Sequence, residues 1–134
     1  MSKKISVVIP VYNEEKNVSL VSQEVAAVFS SLPYEYEIIF VNDGSRDNSL
    51  LEILRLGEAD SRIKGLDFSR NFGKEPALSA GCHIASGDAV ITMDADLQHP
   101  AELISELLKE WEKGAEVVYT VRKKNEGASL MKRL

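Results

Sequence analysis

The feature that most restricts the fold of this chain is an alternation that runs along its whole length. Short apolar runs rich in Val and Ile are each followed by a longer segment whose apolar residues recur at helical spacing. That pattern predicts βαβ units and a parallel sheet with helices on both faces. Ile5 to Ile9 reads as a first strand, stopped by Pro10, which cannot donate to a sheet ladder. From about Glu15 to Ser31 a helix presents Val18, Val21, Val25, Val28, Phe29 and Leu32 on one side. Tyr36 to Val41 is a second strand, closing on the turn sequence Asn42-Asp-Gly-Ser45. Asp47 or Asn48 then caps a helix carrying Leu50, Leu51, Ile53, Leu54 and Leu56, with Gly57 as its stop.

Ile63 to Phe68 reads as a third strand, and a polar loop with two cations follows, Ser69 to Glu75. The helix from about Pro76 to Ser86 is rich in small residues (Ala77, Ala80, Gly81, Ala85), so it is expected to lie close against the sheet. Gly87-Asp88 turns the chain into a strand ending at Met93. Pro100 suits the first turn of a helix whose apolar face is Leu103, Ile104, Leu107, Leu108 and Trp111, and Gly114 ends it. Ala115 to Val121 is expected as a fifth strand of the same sheet, and Arg122 to Leu134 has weak helical character. With 134 residues and 44% hydrophobic content, one domain with a real core accounts for the chain. The single cysteine, Cys82, can form no internal disulfide and is expected as a packed residue, and His83 as a helix-surface or core residue.

Polar residues gather where the strands end. In doubly wound sheets ligands bind outside the carboxyl ends of the strands. The first strand delivers Tyr12, Asn13 and Glu14 there, the second Asp43, and the fourth Asp94, Asp96 and Gln98. Arg70 and Lys74 follow the third. In extended chain, alternate side chains point the same way, so Asp94 and Asp96 can face one cation or one ribose. Two carboxylates leave coordination positions open, which suits Mg²⁺ or Mn²⁺ completed by a substrate diphosphate. Taken alone, the same Asp-x-Asp is also an acidic turn before a helix N-terminus. His99 borders the carboxylates in a capping or a catalytic role.

Composition and motifs remove several classes. The net charge of −5 argues against nucleic acid as a general partner. Basic residues do crowd the end of the chain at Arg122, Lys123, Lys124, Lys132 and Arg133, either as a solvated end or as a segment approaching an anionic surface. Neither a Gly-x-Gly-x-x-Gly fingerprint nor a P-loop occurs, which argues against NAD enzymes and P-loop NTPases. No zinc set can be assembled around Cys82. A sugar-1-phosphate nucleotidyltransferase wants a Gly-rich basic loop after strand one, where this chain has the acidic Val11-Tyr-Asn-Glu-Glu15. A receiver-like module would need a phosphorylatable Asp after strand three, and Asp67 lacks the turn. No apolar stretch of membrane-spanning length and no signal peptide is present.

Five motifs, Ile9-Pro-Val-Tyr-Asn-Glu-Glu15, Val41-Asn-Asp-Gly-Ser45, Arg70-Asn-Phe-Gly-Lys74, Gly87-Asp88 and Asp94-Ala-Asp-Leu-Gln98, resemble in order and separation the family 2 glycosyltransferases of the GT-A fold. The combination is most similar to the polyprenyl-phosphate glycosyltransferases, the group holding dolichyl-phosphate mannose synthase and the bactoprenol glucosyltransferases. The resemblance implies a Rossmann-like α/β domain that takes a nucleotide-sugar donor, UDP-glucose or GDP-mannose, with Mg²⁺ or Mn²⁺. It implies inverting transfer of a hexose, glucose by preference, to a polyprenyl phosphate. A polysaccharide or other glycan acceptor is the alternative within the family.

By the same resemblance, Pro10, Tyr12 and Glu14 form the nucleotide-binding loop and Asp43 recognises the base or ribose. Asp94 lies near ribose and metal, Asp96 and Gln98 are metal ligands, and Arg70 and Lys74 face the diphosphate or acceptor phosphate. Asp94 and Asp96 thus serve the reaction by holding the leaving group and its cation. The acceptor phosphate is already anionic, so no catalytic base is nominated. Enzymes of this group continue beyond the fifth strand, so the chain is expected to be the N-terminal donor-binding part of a longer bacterial protein. That protein would lie at the cytoplasmic face of the cell membrane, attached through its C-terminal segment, with self-association open to a domain lacking its continuation.

Overall fold

The computed structural model describes residues 2–96, 101–115, 118–122 and 129–133. Four parallel strands form the main sheet: β1 (Lys4–Val11), β2 (Glu35–Asn42), β3 (Ile63–Asp67) and β4 (Ala89–Thr92), in spatial order β3-β2-β1-β4. The helices between them are α1 (Val18–Phe29), α2 (Ser49–Ala59) and α3 (Lys74–Ile84), and α4 (Leu103–Glu112) follows β4. The order explains where a ligand can enter. The chain steps outward from β1 to β3 and then returns to the other side of β1, so the switch point lies between β1 and β4.

Strand parity divides the core in two. Ile5, Val7, Ile9 and Val11 of β1, with Ile38 and Phe40 of β2, pack against Val18, Val21, Val25 and Phe29 of α1, Ile53 of α2, and Ile104 and Leu108 of α4. Val8, Ile39 and Val41 point the other way and meet Ala77 of α3. The small-residue face of α3 does what it was expected to do, since a Cβ placed on Gly81 would lie 2.3 Å from Val8 Cγ1. Gly81→Val is therefore expected to lower stability by roughly 2–3 kcal/mol through overpacking of a core that cannot relax. A lower denaturant midpoint at an unchanged slope would show it.

Several expectations are corrected. Pro10 does not end β1, which continues to Val11. Val8 accepts from Met93 N at 3.1 Å, and Pro10, two residues on, faces the same side, where the β4 pairing has already ended at Val8↔Thr92. Its missing N–H therefore costs no ladder bond. Gly57 does not stop α2, which runs on to Ala59, and Leu51 and Leu54 are exposed on that helix. Cys82 is exposed, not packed, and His83 lies on the helix surface. The expected fifth strand belongs to a separate two-stranded sheet. There β5 (Val118–Arg122) pairs antiparallel with β6 (Ser129–Arg133), so the segment read as weakly helical contributes a strand. A sequence of local periodicity could not separate a fifth parallel strand from a hairpin, because both are short apolar runs.

The N-terminal end of the sheet holds a buried polar cluster. Glu37 of β2, with a side chain 1% exposed, accepts from Ser6 Oγ at 2.6 Å, Lys64 Nζ at 2.7 Å, Ser86 N at 2.8 Å and Ser86 Oγ at 3.0 Å. Gly87 N donates to Ser6 Oγ at 2.8 Å, so one carboxylate fastens β1, β2, β3 and the turn before β4. Burial pushes the Glu37 carboxyl up, but the bonds from Lys64, Ser6 and Ser86 outweigh it and hold the group at about 2. Among the described residues no helix is long and apolar enough to cross a membrane.

Candidate active site

At the carboxyl ends of the strands, four turns are fastened to one another in series. The turn after β1 begins with Tyr12 and passes through Asn13, which takes the left-handed conformation at φ +53°. Asn is among the residues that tolerate it, because its short amide bonds locally. Asn13 N donates to Ser45 Oγ at 2.9 Å, and Arg46 N donates to Asn13 Oδ1 at 2.8 Å. Glu14 N donates to Ser49 Oγ at 3.0 Å and Glu15 N to Asp47 Oδ2 at 3.2 Å. The turns after β1 and β2 thus form one unit.

Asp47, one residue before the N-cap Asn48, also accepts from Ser49 N and Ser49 Oγ, so it holds the first residue of α2 while Asn48 makes no side-chain cap bond. Burial would raise its carboxyl, yet the Ser49 and Glu15 donors leave it below the usual carboxylate value. Glu14 is half-buried and its Oε2 accepts from Asn17 Nδ2 at 2.8 Å, while its carbonyl receives Asn17 N and Val18 N at the start of α1.

The turn after β2 is joined to the loop after β3 by Asp43. Its carboxylate accepts from Phe72 N at 2.8 Å and Gly73 N at 3.1 Å, with Asn71 Nδ2 at 3.3 Å. That loop carries Arg70, whose guanidinium lies 4.5 Å over the Phe72 ring, and Phe72 meets Phe68 edge-on at 5.5 Å. Tyr12 and Phe72 are both 46% exposed, so two aromatic faces border the edge. Lys74, the first residue of α3, reaches across to Asp94, with Nζ 2.7 Å from Oδ1. Asp94 lies just past β4 on the other side of the switch point.

The two carboxylates of Asp94-Ala-Asp96 are not in extended chain as expected, because β4 ends at Thr92 and Ala95–Asp96 form a turn. Alternation nevertheless survives: Met93 and Ala95 are buried, at 8% and 3% exposure, while Asp94 is half-buried and Asp96 exposed. Both acidic side chains therefore reach the accessible side of the rim.

All the sequence-derived candidates within the described residues lie along this one rim. Pro10 enters it, Tyr12 and Glu14 open it, Asp43 and the Arg70–Lys74 loop span it, and Asp94 and Asp96 close it. Gln98 and His99 lie outside the described residues. So do the side chains of Arg122, Lys123, Lys124, Lys132 and Arg133. Sequence reasoning named Asp47 only as a helix cap and gave no role to Ser45, Ser49 or Asn71, which share in the fastening; their composition marks turns, but only the fold says which turns meet.

The donor set at Asp94 and Asp96 fits a hard divalent cation, because both supply carboxylate oxygens on the accessible side; one Asp94 oxygen is paired with Lys74, whose ammonium a cation there would displace. Among the described residues no group of three or more acidic, His or Cys side chains that could hold a metal ion occurs, and Gln98 lies outside the described residues.

The parallel sheet, its switch point and this rim define a Rossmann-like domain with its ligand edge between β1 and β4. Comparison with known proteins gives the family: the sequence pattern of glycosyl transferase family 2 matches residues 6–133, and the chain belongs to that family. A glycosyltransferase of Synechocystis sp. is 46% identical over 132 residues, which cover 98% of this chain and 42% of that protein. The bactoprenol glucosyl transferase of Shigella phage SfV is 48% identical over 119 residues, 89% of this chain and 39% of that one. A solved structure, the mannosyltransferase PcManGT of Pyrobaculum calidifontis in complex with GDP-Man and Mn²⁺, shares the fold at a TM-score of 0.70 and 19% identity, covering 95% of this chain and 38% of its own. The chain therefore spans about two fifths of the length of the curated relatives it matches.

Proposed function

We propose that this chain is the donor-binding part of a hexosyltransferase that moves glucose from a nucleotide-diphospho-sugar to a polyprenyl phosphate. The observation that carries this reading is the continuous rim from Tyr12 to Asp96 at the switch point, which places aromatic faces, cations and two accessible carboxylates along one edge. The acceptor class rests on the similarity to bactoprenol glucosyl transferases. Tyr12 and Phe72 offer surfaces for the base, Glu14 steadies the first turn, and Arg70 and Lys74 supply positive charge toward the diphosphate. Asp94 and Asp96, with Gln98, would hold Mg²⁺ or Mn²⁺. Bound there, the cation would stabilise the negative charge that develops on the departing nucleoside diphosphate.

The chemistry asked of the protein is then positioning. A lipid phosphate is already anionic, so its oxygen can displace the diphosphate at the anomeric carbon with inversion and without a protein base. The complete protein would work at the cytoplasmic face of the cell membrane, where a water-soluble donor meets a lipid-borne acceptor. Titration of the chain with UDP-glucose and GDP-mannose, with and without Mn²⁺, tests the donor reading. A saturable, metal-enhanced binding isotherm for one of the two is expected. Absence of binding for both, in this chain and in the longer protein, would overturn it.

A further inference from the structure

We propose that Asp43 acts on the donor through the loop at 70–74, as a positioning residue, and not by direct contact with the base or ribose; this rests on the donor reading above. Asp43 follows the last residue of β2 and is only 4% exposed. Both of its carboxylate oxygens are engaged, Oδ1 by Phe72 N and Oδ2 by Gly73 N and Asn71 Nδ2, while Asn71 Nδ2 also reaches the Asp43 carbonyl at 3.2 Å. The bonds fall on three successive residues of one loop.

The neighbouring Gly44 makes the contact closer still. Its φ is +68°, and a Cβ there would lie 2.3 Å from both Arg70 C and Asn71 N. The turn after β2 is thus pressed onto the Arg70–Asn71 peptide and bonded to the next two amides. Directly beyond the anchored stretch, Lys74 stands 2.7 Å from Asp94, and Arg70 at its other end lies over Phe72. A buried acceptor that holds two consecutive backbone N–H groups fixes the path of that backbone. Asp43 is therefore placed to set where the two cations stand.

Two roles for Asp43 predict different arithmetic. A base contact contributes equally to a nucleoside and to its diphosphate. A loop anchor contributes only where the cations meet phosphate. Affinities of uridine and UDP, with guanosine and GDP beside them, are measured with Mn²⁺ for wild type, Asp43→Asn, Lys74→Ala and the double variant.

Asp43→Asn should leave nucleoside binding unchanged and reduce the diphosphate-to-nucleoside affinity ratio roughly tenfold. In the Lys74→Ala background it should reduce that ratio by less than about twofold, because two residues acting through one path are not additive. Gly44→Ala, which keeps the carboxylate, should reproduce the loss. If Asp43→Asn weakens the nucleoside and the diphosphate alike, or if its effect multiplies fully with Lys74→Ala, the proposal is wrong.

Should Asp43→Asn fail to fold, Asn71→Ala carries the test. Its side chain is exposed, and a severalfold drop in the same ratio is expected. Amide exchange separates this proposal from the donor reading. Phe72 and Gly73 should be protected in wild type and exchange at least about tenfold faster in Asp43→Asn, whether or not any nucleotide binds. Unchanged protection would overturn the anchoring role, whereas a wild type that binds no nucleotide would overturn only the donor reading.

Discussion

Asp96→Ala is expected to remove metal-enhanced binding of the nucleotide sugar almost completely, by roughly 100-fold or more, the upper end of what losing even an outer partner of a metal ligand costs. Binding of the same nucleotide in the presence of a chelator should fall far less. The contrast follows from where Asp96 sits: it is exposed at the accessible side of the rim and contributes an oxygen donor, whereas the aromatic faces that can receive a base belong to Tyr12 and Phe72. Asp96→Asn should behave similarly, since an amide oxygen keeps the shape and discards the charge. Calorimetry with and without Mn²⁺ gives both numbers for each variant. Equal losses in the two conditions would show that Asp96 holds the nucleotide and not the cation. A thermal midpoint measured beside each isotherm separates a loss of binding from a loss of folding.

The second large effect concerns stability. Glu37→Gln keeps the volume of the buried side chain but removes the charge that three hydroxyl or amide donors and two lysines converge on. A loss of about 3 kcal/mol near neutral pH is expected, because a carboxyl held at about 2 in the folded chain against an ordinary 4.5 corresponds to that difference between its ionised and neutral forms.

The direction in pH is fixed by the sign of the shift. A depressed folded-state value means that the unfolded chain takes up a proton first as the solution is acidified. The contribution is therefore complete above about pH 4.5 and disappears as pH falls toward 2. Denaturant unfolding of wild type and Glu37→Gln across that window should give curves that converge at the acid end. Curves that stay parallel would mean that the carboxylate contributes by packing alone.

Much of this could be read from the residues, and the parts that could not share a cause. Continuous apolar runs and period-3.6 patterns located every element of the main sheet, because β1 and β2 are buried on both faces and α1 on one. The rim was legible for a related reason: Tyr12, Asp43 and Asp94 each stand just past the end of a strand, Lys74 opens the helix after the β3 loop, and a parallel sheet brings strand ends together.

What depended on partners stayed hidden. Pro10 looked like a terminator because its neighbour on that side, and the point where that neighbour ends, are set by β4, some eighty residues away. Cys82 looked buried because its helix is rich in small residues, but Gly81, one position earlier, is the residue that turns to the sheet. Glu37 received no role from the sequence, because its hydrogen-bond donors come from Ser6, Lys64 and Ser86, none of them adjacent in sequence. The hairpin of β5 and β6 was missed because strand direction is a property of the pair.

The two buried carboxylates at either end of β2 divide the sheet between them. Glu37 stands near the start of the strand and Asp43 immediately after its end, so one ties the base of the sheet and the other its rim. A change in what the upper loops bind need not disturb the lower cluster, because five buried residues, Ile38 to Asn42, separate the two. A lineage could thus exchange one nucleotide or sugar for another at the rim without risking the scaffold, a modular arrangement in which recognition drifts and the frame is inherited.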